Sequence, residues 1–359
     1  MSALRFCDVA MLYCPRGGGI RTYCEQKLDW FSRQRRHAYT LIVPGARTRL
    51  RWVESSVSIV EIRGVPLDRD PDGYRVFADI PALWNAVRRS APDLLEAGDP
   101  WISGPLSLLM RRRGHVRRVA SFCHADPRLG PGRLQSSYDA TLAASRWVAD
   151  RLTAAGVARV RVTPFGVDPA LFEIGAARVP HDGPLRLLYA GRLDRDKEVR
   201  LLLEALPALL DTTDAAITVA GRGALEAPFK AVAHPRFAFA GYVADRARML
   251  DLYRTHDVLV STCGRETFGL SVLEAAAAGL VIVGPDGGGA GEMLRSIPAP
   301  FVFRRGDSAS LLAAVRAALA SDRRQACDES RRMAAGYGTW SDAIGRLVAT
   351  CEQIVDGAS

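Results

Sequence analysis

Val258-Leu259-Val260-Ser261-Thr262-Cys263-Gly264-Arg265-Glu266-Thr267-Phe268-Gly269-Leu270-Ser271-Val272-Leu273-Glu274-Ala275 reads as a strand, a polar loop and an alanine-rich helix in succession. The β-branched run at its start suits a buried strand, Gly269 lets the chain turn, and the helix begins near Leu270. Outward from this βα unit the pattern repeats. Short apolar runs at Leu185 to Tyr189, Ala216 to Val219, Phe237 to Ala240, Val258 to Ser261 and Val281 to Val283 alternate with longer amphipathic stretches, as a parallel sheet covered by helices requires. An earlier series does the same, at Arg5 to Leu12, Tyr39 to Val43, Val57 to Ile62, Val116 to Cys123, Ala140 to Ala143 and Val160 to Thr163. The sequence therefore predicts an α/β protein with two doubly wound sheets.

A chain of 359 residues exceeds what one hydrophobic core sustains, which agrees with two domains. Pro164 to Pro184 carries four prolines and three glycines with no sustained period, and reads as the connection. The expected domains are 1–170 and 171–340. Apolar residues at Ile344, Leu347, Val348, Cys351 and Ile354 predict a terminal amphipathic helix within 341–359. Doubly wound sheets bind ligands outside the carboxyl ends of their strands, so the site is expected in a central cleft that the two domains face.

Composition narrows the class. A hydrophobic fraction of 48% with 24% charge excludes a disordered chain. Met1 to Phe6 does not open a signal peptide, and the longest apolar stretch, near Leu270 to Val283, is short for a membrane span and contains Glu274. A cytoplasmic protein is expected. Seven scattered cysteines (Cys7, Cys14, Cys24, Cys123, Cys263, Cys327, Cys351) include no close pair and read as reduced thiols. The net charge of +9 suits an anionic partner such as a nucleotide, an acidic lipid surface or a nucleic acid, without choosing among them. The only lysines are Lys27, Lys197 and Lys230, so most arginines are discounted as codon bias on a solvated surface.

Three stretches can carry chemistry. Pro15-Arg16-Gly17-Gly18-Gly19-Ile20 follows the first strand and precedes an amphipathic run, where glycines admit a close ligand and the helix start offers N–H groups to an anion; a tight turn alone is the plain alternative. It lacks the G-x-G-x-x-G spacing of a dinucleotide fold. In Gly191-Arg192-Leu193-Asp194-Arg195-Asp196-Lys197, a strand ends at a glycine and places Arg192 and Lys197 on one loop, where they can clamp a diphosphate or simply meet solvent. The triplets Asp194/Asp196 and Asp68/Asp70 have the D-x-D form, but neither sits among further ligands, so no metal site is expected. In the opening stretch, the helix start near Phe268 to Leu270 suits phosphate, and the flanking Glu266 and Glu274 suit hydroxyl-rich groups on either side of it. The order sugar, diphosphate, ribose puts Glu266 at the sugar and Glu274 at the ribose.

The E-x-F-G-x-x-x-x-E arrangement with G-R-L-x-x-x-K upstream resembles the retaining glycosyltransferases of the GT-B fold, the large family that includes bacterial phosphatidylinositol mannosyltransferases and sucrose synthase. The likeness covers almost the whole chain and extends to Gly17 to Gly19, to His124 in Ser121-Phe122-Cys123-His124-Ala125-Asp126, to Pro164-Phe165-Gly166-Val167-Asp168 and to Gly241-Tyr242-Val243. It implies two Rossmann-like domains, with the terminal helix 341–359 packing back on the first. Arg192 and Lys197 would hold the diphosphate, Glu274 the ribose, and Glu266 and His124 the transferred sugar. Backbone at Gly18, Gly19, Phe268, Gly269 and Leu270 would line the phosphates, and Val243 would touch the base. The family's asparagine is Phe165 here, so that segment is given no polar role.

The resemblance implies transfer of a hexose with retention from a nucleoside diphosphate sugar, GDP-mannose or a UDP-hexose, to a hydroxyl acceptor on a lipid or glycan, with neither metal nor cofactor. Competing readings are a nucleotide-sugar epimerase, a phosphorylase, or a non-catalytic binding module. Arg47 to Trp52 and Leu108 to Arg118 mix arginines with apolar side chains, as a peripheral anchor on an anionic membrane or a solvated basic face would. Nucleic acid is not an expected partner.

Overall fold

The structure is a computed structural model describing residues 3–15, 17–67, 73–124, 135–179, 181 and 183–357. Asp68, Asp70, Arg16, Ala125 and Asp126, named above, lie outside the described residues. The chain divides into two compact units, Met1–Phe165 together with Ser341–Ser359, and Gly166–Trp340.

In the first unit the strands are β1 (Arg5–Val9), β2 (Ala38–Gly45), β3 (Arg49–Glu54), β4 (Val57–Pro66), β5 (Arg75–Phe77), β6 (Leu94–Ala97), β7 (Arg118–Cys123), β8 (Ala140–Ala143) and β9 (Val160–Val162). They lie in the order β3-β4-β2-β1-β6-β7-β8-β9, parallel except that β3 and β5 run antiparallel to β4. The order reverses at β1, which pairs with β2 on one side and β6 on the other. The terminal helix Trp340–Asp356 joins this unit through Arg118 Nε, which donates to the Ile354 carbonyl at 3.2 Å, and through Glu352, 3.1 Å from Arg36.

The second unit holds β10 (Arg186–Ala190), β11 (Ala216–Ala220), β12 (Phe237–Gly241), β13 (Val258–Val260), β14 (Val281–Pro285) and β15 (Phe301–Phe303). All pairs are parallel, in the order β12-β11-β10-β13-β14-β15. Counted within the unit this is 3-2-1-4-5-6, the Rossmann order, with its switch point between β10 and β13. Leu187, Val219, Val258, Val260 and Val283, all fully or nearly fully buried, are the strand side of its core.

Four strands depart from the sequence expectation. β6 is Leu-Leu-Glu-Ala, good helix formers with a carboxylate inside, and only its place beside β1 makes it a strand. β3 is exposed along its whole length and shows no buried face to detect. β5 and β15 have three residues each, too few for a period.

The segment Pro164 to Pro184 is also more than a connection. Pro169–Ala176 is a helix capped by Asp168, whose carboxylate accepts from Ala170 N at 2.7 Å, and it buries Leu171 and Gly175. Gly175 permits its approach to the second unit's helix Leu270–Ala277, since a Cβ there would sit 2.2 Å from the Ala277 carbonyl oxygen. The unit boundary accordingly falls at Phe165–Gly166, earlier than residue 170. There Val167 N donates to Gly338 O at 3.1 Å and Trp340 N to Val167 O at 2.9 Å, so the outgoing and returning chain segments are hydrogen-bonded side by side.

Candidate active site

Two loops leave the switch point of the second unit. The first follows β10. Leu193 N is held by the Arg222 carbonyl at 2.8 Å, and Tyr189 donates its hydroxyl to the Arg192 carbonyl at 2.9 Å, which fixes the backbone from which Arg192 projects. The Arg192 guanidinium is paired with both Asp194 and Asp196. The D-x-D triplet thus faces an arginine. Burial opposes the Arg192 charge, but the two carboxylates outweigh it and hold its pKa above the ordinary value.

The second loop follows β13 and brings Glu266 to the first. Lys197 Nζ lies 2.7 Å from Glu266 Oε2, across 69 residues of sequence. Burial again opposes the ammonium, and Glu266 more than offsets it, so the Lys197 pKa is raised. Thr262 Oγ1 donates to the Lys197 carbonyl at 2.7 Å. Behind the loop, Gly289 N donates to Glu266 O at 2.7 Å, and a Cβ on Gly289 would meet the Phe268 backbone at 2.5 Å.

Gly269 then turns the chain at φ 101°, a conformation that disfavours any residue with a Cβ, and the helix Leu270–Ala277 begins with no side-chain cap. Its N-terminal end carries the partial positive charge of the helix. Phe268 is buried edge-on to Tyr337 at 5.7 Å. One turn inside the helix, Glu274 is half-buried and accepts a hydrogen bond from the Tyr253 hydroxyl at 2.7 Å. Burial raises its pKa, against the opposing effects of Tyr253 and Arg246. Arg246 is itself paired with Asp168, so the segment given no polar role holds a helix cap and an ion pair.

Val243 lies half-buried just after β12, beside Tyr242, whose ring carries the Arg222 guanidinium at 4.3 Å. Sequence reasoning passed over Arg222. Its signal was the Gly221-Arg222-Gly223 turn at the carboxyl end of β11.

In the first unit, Gly18 precedes the helix Gly19–Gln34, whose start again has no side-chain cap. Nothing lies within 4 Å of where a Gly18 Cβ would be, so packing does not require glycine there. Gly17 differs, because its Cβ would press on the Cys14 carbonyl at 2.9 Å. His124 follows β7, stacked on Phe122 at 4.7 Å and edge-on to Tyr23 at 5.6 Å. Burial, with the Lys27 charge second, pushes its pKa down to about 4, so its imidazole is neutral at physiological pH. Phe165 extends the aromatic group, stacked on Phe122 at 5.4 Å, which accounts for an apolar side chain at that position.

Beside His124 lies a charge cluster that sequence reasoning missed. Lys27 Nζ is 2.6 Å from Asp8 Oδ2 and 3.0 Å from Glu96 Oε2, all three nearly solvent-free. Tyr39 donates to Asp8 at 2.6 Å and Tyr23 to Glu96 at 2.9 Å. Burial and then Glu96 raise the Asp8 pKa to about 6, while Asp8 and Glu96 overcome burial to raise that of Lys27. Asp8, Tyr23, Glu96 and His124 share a cavity of about 10 Å³, the room of one water. The signals were charges inside apolar runs, and Lys27 one helical turn after Tyr23 on the buried face.

Residues 17–171 match the model described as Glycosyltransferase Family 4, and residues 184–321 the model described as Glycosyl transferases group 1. The chain is 29% identical over 303 residues to a GDP-mannose-dependent alpha-(1-6)-phosphatidylinositol dimannoside mannosyltransferase of Mycobacterium tuberculosis, an alignment covering 77% of this chain and 78% of that one. It is 32% identical over 285 residues to a glycogen synthase of the same organism, covering 76% and 62%. Among solved structures, the sucrose-phosphate synthase of Thermosynechococcus elongatus superposes with a TM-score of 0.79 at 16% identity, over 98% of this chain and 99% of that one. Two Rossmann-like units bearing these loops define a glycosyltransferase that uses a nucleotide sugar. More narrowly, the chain belongs to the GT-B-fold glycosyltransferases, its first half a family 4 domain and its second a group 1 domain.

Proposed function

We propose that the chain moves a hexose, with retention, from a nucleoside diphosphate sugar to a hydroxyl on a lipid or growing glycan. GDP-mannose is the first donor to try, since one relative is a GDP-mannose-dependent enzyme, and a UDP-hexose is the second. The observation that carries the reading is the Lys197–Glu266 pair at the switch point, beside an uncapped helix start. A cation, a hydroxyl acceptor and a row of amides suit a phosphate joined to a sugar.

Arg192, Lys197 and the backbone at Phe268, Gly269 and Leu270 stabilise the leaving diphosphate without a metal ion. Glu274 takes the ribose, Val243 meets the base, and Glu266 and His124 meet the sugar. Gly18 and Gly19 are assigned to the phosphates. The bond from the anomeric carbon to the donor phosphate oxygen breaks, the acceptor oxygen bonds that carbon on the same face, and its proton passes to the departing phosphate. His124, neutral at pH 7, orients the sugar and is not the base. Incubating the protein with nucleotide sugars and acceptors is expected to release nucleoside diphosphate only when an acceptor is present, giving a product whose anomeric configuration by NMR matches the donor. Donor consumption without acceptor would replace this reading by an epimerase, and inverted product would remove retention.

The protein is proposed to work in the cytoplasm, on the inner face of an anionic membrane. On β3, Leu50 is 56% and Trp52 63% exposed, with Arg47 and Arg51 exposed alongside. The second basic stretch supports this less, because Met110 and Val116 are buried and Arg111 and Arg118 pair with Asp139. No helix among the described residues is long and apolar enough to cross a membrane. Flotation with phosphatidylglycerol vesicles at low salt is expected to carry the protein, and Trp52→Ser with Arg51→Glu to release most of it. Absence of binding by the unmodified protein at low salt would remove the lipid surface.

A further inference from the structure

Glu198, directly after Lys197, holds an unusual backbone. Its φ of 52° and ψ of 20° are left-handed, a region where a side chain with a Cβ is strained. What the side chain does there offsets the strain. Glu198 Oε2 accepts from Gly264 N at 3.0 Å, and Oε1 accepts from Arg305 Nε at 2.8 Å and Nη2 at 2.5 Å. One carboxylate therefore ties three segments: the loop after β10, the loop after β13 and the turn after β15.

Gly264 is shaped for the same contact. A Cβ there would meet Arg305 Cδ at 2.3 Å and Cγ at 2.7 Å, so the arginine stem lies directly across this glycine. The two tied positions stand next to the proposed donor groups, Glu198 one residue after Lys197 and Gly264 two before Glu266.

We infer that Glu198 and Arg305 form a clamp that sets the separation of Lys197 and Glu266, making Glu198 a positioning residue for the donor diphosphate and its sugar. The inference rests on the reading of that site as the donor site. Without the clamp the loop after β13 loses a backbone tie, and the lysine and glutamate drift from the geometry that the reacting groups need.

Glu198→Gly separates this role from folding. Glycine accepts the left-handed backbone without strain, which offsets the loss of the Gly264 and Arg305 bonds, so the melting temperature is expected to change little. Amide exchange at Gly264 is expected to accelerate more than tenfold while the strands of the same unit are unchanged, and kcat to fall about 10- to 100-fold, as a small misplacement of reacting groups produces. Glu198→Gln, which keeps one acceptor oxygen, and Arg305→Ala, which leaves the Gly264 amide bonded to Glu198, are expected to fall between, with little further loss when Arg305→Ala is added to Glu198→Gly. Unchanged exchange at Gly264 would overturn the clamp whether or not the protein turns over any donor. Faster exchange with an unaltered kcat would overturn the positioning role. If the unmodified protein releases no nucleoside diphosphate from any donor, the positioning inference falls with the functional reading, and the exchange result alone decides the clamp.

Discussion

Lys197→Ala is expected to lower kcat by about 10²- to 10³-fold, the usual cost of removing one preorganised group from charge developing on a leaving oxygen. The substitution should leave the fold intact. The Lys197 and Glu266 side chains are 23% and 25% exposed, so the glutamate left behind still meets water, and losing this charge-assisted hydrogen bond costs about 1.5–3 kcal/mol, less than the stability of a typical domain. Rate and stability therefore part company, which a structural lysine would not allow. Arg192→Ala is expected to act in the same direction. Its guanidinium is held by Asp194 and Asp196 and must exchange some of that pairing for phosphate. The double variant Arg192→Ala/Lys197→Ala is expected to show no measurable turnover. Initial rates of nucleoside diphosphate release, with a melting curve for each variant, provide the check, and full activity in the double variant would sink the assignment of the diphosphate to these residues.

Lys27→Met makes the opposite forecast, a loss of stability first and of activity only as a consequence. Methionine fills the space, but Asp8 and Glu96 are left nearly solvent-free with no cation between them. Breaking a buried ion pair by removing one partner costs about 3–5 kcal/mol. The pH dependence has a definite sign. Asp8, with its folded pKa raised to about 6, favours the folded state when protonated, so its contribution is present at low pH and lost as pH rises through 6. His124, lowered to about 4, contributes above its ordinary value near 6.5 and loses that as pH falls toward 4. In the unmodified protein the two oppose each other across this window. Without Lys27 the Asp8 pKa rises further, and His124 loses the Lys27 part of its depression while burial keeps the rest, so the stability gap between variant and unmodified protein should narrow from pH 7.5 to pH 5.5. Urea unfolding of the first unit at both values measures it. A gap that widens on acidification would show that the lysine is not what opposes the rise of the Asp8 pKa.

Much of the scaffold was legible because strands buried on both faces leave short runs free of charge, apolar or β-branched. β8 falls at Ala140–Ala143 as read, and β13 and β14 differ from their reading only at their ends. β6 and the buried cluster were missed for one reason: Glu96 and Asp8 look like solvated charges until their partner is known, and Lys27 is that partner. Glu198 was missed because nothing in a run of charged residues says which one takes a left-handed backbone. The helix Pro169–Ala176 was hidden among prolines and glycines that normally mark a connection, though one of those prolines opens it.

By itself the sequence determined the two successive βα series, the glycine at the helix start and the residue types at each loop, since these follow from local periodicity and from the steric demands of single residues. Only the tertiary structure decided which loops meet. Periodicity states which face of a strand is buried, but it does not state which strand lies beside which. The neighbouring of β10 and β13, distant in the chain and adjacent at the reversal of strand order, is what brings Lys197 within 2.7 Å of Glu266.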